Sequence, residues 1–275
     1  MAVLYGKFVG SVLVGAVLAG TPAPSNADTE HSEKEPLRLV TGPHYPPFAA
    51  DDLPYNGLAP FLVSRIFESG GRKVTVDLLP WKRAYRNTLK DEYDAILPHV
   101  ETPARQDDYL FSVPIFNVDA FAYVSADSRI SAQAPAELEG LTYCNPVGFK
   151  DGVVLKKLRL KERVKRVTPA NMNNCFKMLH AGRVDFVKTN PHVARYIMMQ
   201  LELPQNLFRR LPFTVEHNSL HLMVPKRRSG AEAFIIEFNA LFNDLVRRGQ
   251  LQPLAVMYLE KLDLDSDWAG AKRAD

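Results

Sequence analysis

The sequence predicts an α/β protein of two lobes, each built on a parallel-rich sheet, joined by two hinge crossings. Three observations predict it. From Leu37 to Pro98 the chain alternates strand, helix, strand, helix, strand, the pattern of a parallel sheet with helices on both faces. A second run of the same kind extends from Leu141 to Gln200. Extended stretches at Phe121–Ser128 and Ser219–Val224 are the expected passages into the second lobe and back. The expected boundaries are 36–123 and 219–262 for the first lobe, 124–218 for the second, and 263–275 for a flexible tail.

The N-terminal part reads as an export signal. Lys7 is the only charge before Asp28, an apolar run spans Phe8 to Ala19, and the breaker TPAPS follows. Ser25-Asn26-Ala27 offers small residues where a signal peptidase reads them, so residues 1–27 are the expected signal, with cleavage after Ala27. A membrane anchor is the alternative, but the run falls short of the ~20 residues of a span. No cysteine lies near the cleavage point, so no lipid anchor is expected. The mature protein is expected to be soluble in the periplasm, an oxidising compartment. There the two cysteines, Cys144 and Cys175, are expected to pair; two buried thiols are the alternative. The 46% hydrophobic content is that of a soluble globular chain, and a net charge of +3 gives no field suited to nucleic acid.

Leu37 to Val40 alternates as a short strand. Gly42 to Phe48, GPHYPPF, holds three prolines and must be a rigid loop presenting Tyr45 and Phe48, whose rings either line a site or pack in the core. Gly57 to Ser69 is a helix with Phe61, Leu62, Ile66 and Phe67 on one face, ended by Gly70-Gly71. Val74, Val76 and Leu78 alternate as the next strand. Trp81 and Arg83 open a second helix at that strand's carboxyl end, where ligands bind in such sheets. Each has a plainer reading, a core plug for Trp81 and a solvated side chain for Arg83.

Asp94 to Pro98 is the third strand, and Pro98, without an N–H, is expected to stop its ladder. Thr102-Pro103-Ala104-Arg105 then has the order of an N-cap followed by proline at the first helical position. A hydroxyl, free backbone amides and a guanidinium gathered at a strand end suit a carboxylate. Taken alone, the segment reads as a structural cap and a surface arginine.

In the second run, Leu141–Cys144 is a strand, and Gly148 and Phe149 follow at its end, where Gly148 lets backbone approach a ligand. Helices are expected at Gly152–Glu162, Asn171–His180 and Asn190–Gln200, and strands at Val164–Val167 and Val184–Val187. Asn190 is an expected N-cap. After the return strand, Gly230–Arg248 is an amphipathic helix, and Leu251–Leu259 a second one that docks on the first lobe.

The segments LRLVTGPHYPPF, YDAILPHVETPAR with YLFSVPI, AGRVDFVKTNPHVARY and the closing helix pair carry a resemblance. From about Leu37 to Leu259 the chain resembles the periplasmic solute-binding proteins of the polar amino-acid type, solute-binding family 3. The resemblance implies a two-lobed periplasmic-binding-protein-like (type II) fold that closes on a solute and presents it to an ABC importer permease. It implies that Arg105, matching the arginine of the family's Thr-x-x-Arg motif, clamps the ligand carboxylate, with Thr102 beside it. The loop holding Tyr45 and Phe48 would line the cleft, and Gly148, Phe149 and Asn190 would supply the second lobe's contacts. Where the family usually has an Asp for the ligand's α-ammonium, this chain has Asn190, so the far end of the ligand is expected to be neutral or hydrogen-bonding.

The expected activity is therefore binding without catalysis, by a monomer, with no cofactor and no metal. The seven histidines form no HExxH, and no GxSxG, P-loop or dinucleotide fingerprint is present. The basic run Lys156–Arg166 reads as a solvated helix back. Two rivals are carried. One is a dehydratase of cyclic dienoic acids, for which Glu101 is the nearest acid although strand alternation points it away. The other is a sensor feeding a membrane receptor.

Overall fold

The computed structural model describes residues 35–262 except Gly148, together with Leu264, Ala2 and Gly6. The expected signal, its cleavage point and all but Leu264 of the expected tail lie outside the described residues. Both sheets belong to one compact unit, Lys34–Asp275.

The first sheet holds β1 (Leu37–Thr41), β2 (Val74–Leu78), β3 (Ala95–Val100), β4 (Tyr109–Phe111), β5 (Phe116–Asn117) and a late strand, Ser219–Pro225. β1 runs parallel to β2 and β3, whereas the late strand is antiparallel to β3, β4 and β5. Buried on both faces, β1 carries Leu39 and Val40 with no exposure at all. α1 (Leu58–Ser69) covers one face with Phe61, Leu62, Ile66 and Phe67. α2 (Trp81–Thr88) follows β2, and α3 (Pro103–Gln106) is a single turn after β3.

The second sheet holds β6 (Ala120–Ser125), β7 (Thr142–Cys144), β8 (Lys165–Val167), β9 (Phe186–Thr189) and β10 (Phe208–Glu216), in the order β10-β6-β9-β7-β8. Its helices are α4 (Gly152–Leu160), α5 (Met172–His180) and α6 (Pro191–Gln200). The late strand of the first sheet is β11, and α7 (Ala231–Arg247) and α8 (Leu251–Glu260) close the fold. The closing pair docks on the first lobe: Phe67 meets Phe234 and Phe238 at ring centroids 5.3 and 5.4 Å apart, and Phe61 meets Tyr258 at 5.2 Å. Cys144 and Cys175 form the expected disulfide, wholly buried, between the end of β7 and α5.

Three local expectations change. Pro98 does not end β3, which continues to Val100. The ladder to β11 shifts register between His221 and Met223, where the missing N–H costs no bond. Phe121–Ser125 pairs inside the second sheet, so the chain changes sheet between Asn117 and Ala120, a few residues before the expected boundary at 123. β10 carries no alternation in the sequence, because it is an edge strand interrupted by Arg209, Arg210 and Pro212. No helix of the described residues is long and apolar enough to cross a membrane.

Candidate functional site

The carboxyl ends of β1, β2 and β3 in one lobe face the ends of β7, β9 and β10 in the other across a cleft of about 1260 Å³. On the first wall, Thr102 takes the N-cap position of α3, and its carbonyl accepts from the Arg105 and Gln106 amides. Its hydroxyl, however, caps nothing: Thr102 Oγ1 is buried without a partner. A helix of one turn also has little dipole to offer. What this segment could offer an anion is thus its side chains rather than helix-start amides.

Arg105 lines the cleft half-buried, with Nη1 donating to the Val100 carbonyl. Among the described residues no carboxylate pairs with it. Burial lowers its pKa from the ordinary value, the response of a charge held in a dry place without a counter-ion. Beside it is His99, 7% exposed, with Nε2 buried and unpartnered. Burial first, and then the charges of Arg105 and Lys150, hold the His99 pKa well below 6.5, so its ring is neutral at pH 7.

Trp81 lines the cleft at the start of α2 and is fixed there. Its Nε1 donates to the Pro43 carbonyl at 2.8 Å, its ring meets His99 edge-on at 5.0 Å, and it lies so close over Gly42 that a Cβ there would be 2.1 Å from the indole. Arg83, two residues on, is about 200° round the helix. It is exposed and does not line the cleft. Tyr45 does line it, packed on Phe48 at 5.3 Å and on Phe149 of the other lobe at 5.8 Å. Phe48 is fully buried against Phe116 and His192 and is core, not cleft wall.

The second wall is the loop between β7 and α4, which carries Phe149 and Lys150; Gly148 lies outside the described residues. Arg166 braces this loop. Its guanidinium donates to the carbonyls of Asn145, Pro146 and Phe149 and pairs with Asp151 at 2.7 Å. Asp151 also pairs with Arg159 at 2.9 Å. Burial would raise the Asp151 pKa, but its polar partners, these two arginines among them, hold it below the ordinary value. The basic run is therefore not wholly a solvated helix back, since Arg159 and Arg166 turn to Asp151.

Lys188, on β9, pairs with Glu216 at the end of β10 and donates to the Lys150 carbonyl at 3.0 Å. Asn190 caps α6, its Oδ1 accepting from the Val193 amide at 3.0 Å, while Nδ2 donates to the Tyr45 hydroxyl of the other lobe at 3.3 Å. Glu101 lines the cleft after all, exposed and accepting from Gln106 Nε2 at 2.7 Å. Tyr45, Trp81, Thr102, Arg105, Phe149 and Asn190 thus meet in one cleft. His99, Lys150, Lys188 and Glu216 join them without having been singled out. Only Lys188 left a signal: a charge directly after Phe186-Val187 at the end of the expected strand Val184–Val187. Among the described residues no group of three or more His, Cys, Asp or Glu could hold a metal ion.

The bacterial extracellular solute-binding proteins, family 3, match residues 37–261 of this sequence. The chain belongs to that family. No curated protein matches it significantly. Solved structures share this fold at low identity. An ancestral arginine-binding protein bound to arginine is 21% identical, with TM-score 0.69, over 86% of this chain and 100% of that one. The GluR0 ligand-binding core from Nostoc punctiforme in complex with (L)-glutamate is 16% identical, with TM-score 0.67, over 82% and 100%. A histidine kinase sensor domain with similarity to periplasmic binding proteins is 17% identical, with TM-score 0.69, over 82% and 97%. These likenesses establish the two-lobed α/β fold.

Proposed function

We propose that this family 3 protein is exported by residues 1–27, captures a small carboxylate-bearing solute in the periplasm, and hands it to an ABC importer. The observation that carries the reading is Arg105: a half-buried guanidinium in the interlobe cleft with no carboxylate partner among the described residues, next to the unpartnered Thr102 hydroxyl. Closure would turn about the two passages between sheets, at 118–119 and 217–218. A ligand favours the closed form only through contacts that exist when both walls touch it. Binding rather than catalysis is supported by the state of the cleft acids. Glu216 and Asp151 are ion-paired, and Glu101 is exposed and bonded to Gln106. A histidine kinase sensor domain shares the fold, so a membrane receptor is the second reading of the partner.

The test is a thermal-shift screen of the mature chain against amino acids, small carboxylates and amines. At about 100 times Kd a ligand adds roughly 2.7 kcal/mol of stability. Calorimetry of the best ligand with Arg105→Ala should then show binding abolished, since the ligand carboxylate would be buried unpaired. Unchanged affinity removes the reading.

A further inference from the structure

Resting on the solute-binding reading of the cleft, we infer that the solute is a dianion without an ammonium group, one acidic group held by Arg105 and the other by Lys150 of the opposite wall. Three observations lead there. The first is the charge inventory. The cleft acids Asp151 and Glu216 are committed to Arg159, Arg166 and Lys188. Glu101 accepts from Gln106 Nε2. Asn190 brings no charge, and its Oδ1 is taken by the Val193 amide. An ammonium group would have to break an existing ion pair to reach Asp151 or Glu216, which leaves it only the exposed Glu101, already bonded to the Gln106 amide, among the described cleft acids. Arg105 and Lys150, by contrast, line the cleft with no carboxylate partner among the described residues.

The second observation is placement. Arg105 follows β3 on one lobe and Lys150 precedes α4 on the other. Both line the same cleft, and after burial the charge of Arg105 is the next cause that lowers the Lys150 pKa. The Lys150 carbonyl accepts from both Asn145 Nδ2 and Lys188 Nζ, at 3.0 Å each, and the preceding Phe149 carbonyl accepts from Arg166 at 2.9 Å. The lysine is therefore presented by a fixed loop.

The third observation is the unpartnered donor set. His99, neutral and more than nine-tenths buried, lines the cleft with an unpartnered Nε2 that donates in one of its two tautomers, and Thr102 Oγ1 is likewise without a partner. Both stand by Arg105 and suit the oxygens of an acidic group. Without a ligand, closing the cleft drives two positive charges together; a dianion reverses the sign of that contribution. Binding energy that exists only in the closed form is what shifts a two-state hinge.

Calorimetry on the mature chain tests this with succinate, glutarate and adipate against butyrate, hexanoate, glutamate and arginine. At least one dicarboxylate should bind more tightly than every monocarboxylate and amino acid. Its affinity should fall about tenfold in Lys150→Ala, the scale of one charge-assisted contact. Binding should be lost in Lys150→Glu and stay within about twofold in Lys157→Ala, an exposed lysine of α4 outside the cleft. Thermal melts of the unliganded variants separate lost binding from lost folding. Tighter binding of an amino acid or a monocarboxylate, or dicarboxylate binding indifferent to Lys150→Ala, overturns the dianion. If Arg105→Ala still abolishes binding in that case, the solute-binding reading survives. Silence across this panel overturns the dianion alone, and silence across the wider screen removes both.

Discussion

Gly152 opens α4 at φ 78°, and a Cβ there would fall 2.2–2.4 Å from the carboxyl atoms of Glu216. The Lys188–Glu216 pair can close only because that position has no side chain. Gly152→Ala is expected to cost about 1–2 kcal/mol for the left-handed backbone. It should also push Glu216 off Lys188, so solute affinity should fall with stability; urea unfolding and calorimetry of the same variant check both. The sequence shows a glycine at a helix start but not the distant carboxylate that requires it. Trp81 and Arg83 make the same point in reverse. Both looked able to reach the cleft, and the helical turn puts Trp81 on its wall and leaves Arg83 outside.

At the scale of elements, the loop between β7 and α4 owes its shape to one side chain from β8. Arg166 satisfies three of its carbonyls and half of the charge demand of Asp151. Arg166→Met should therefore cost about 3 kcal/mol, below the upper range for broken buried pairs because Arg159 still holds Asp151. Solute affinity should fall as well, since Phe149 and Lys150 ride on this loop; unfolding curves and calorimetry read the two effects. The disulfide ties β7 to α5 across a sequence separation of 31 residues. On the chain-entropy argument its loss costs roughly 3–4 kcal/mol. Cys144→Ser combined with Cys175→Ser should lower the melting temperature to match that of the reduced protein. Periodicity made most elements legible, from α1 to α7. It missed β10, whose place at a sheet edge needs no apolar alternation.

For the whole molecule, the lobes touch through more than the hinge. The Asp52 carboxylate accepts from Gln200 Nε2 at 2.7 Å, Tyr45 meets Asn190, and Phe48 packs on His192. His192 and His99 are both held neutral inside this structure. Burial first, and then Arg195, bring the His192 pKa from 6.5 to about 4, and burial holds His99 well below its ordinary value. The unfolded chain therefore takes up protons on these groups before the folded chain does. Stability should be full above about pH 6.5 and fall as pH drops toward about 4, by up to roughly 1.4 kcal/mol per pH unit for each histidine. Thermal melts between pH 7.5 and 4, flattened in His192→Gln, would show it.

By itself the sequence determined the α/β class, the order of most elements, the disulfide and the turn at Thr102–Arg105, because each is written in local spacing or in residue type. Only the tertiary structure decided which charges remain without partners. Asp151 is quenched by arginines 8 and 15 residues away, and Glu216 by a lysine 28 residues away. Pairing of that kind depends on which strand ends converge, and convergence is set by sheet order rather than by neighbours in the chain.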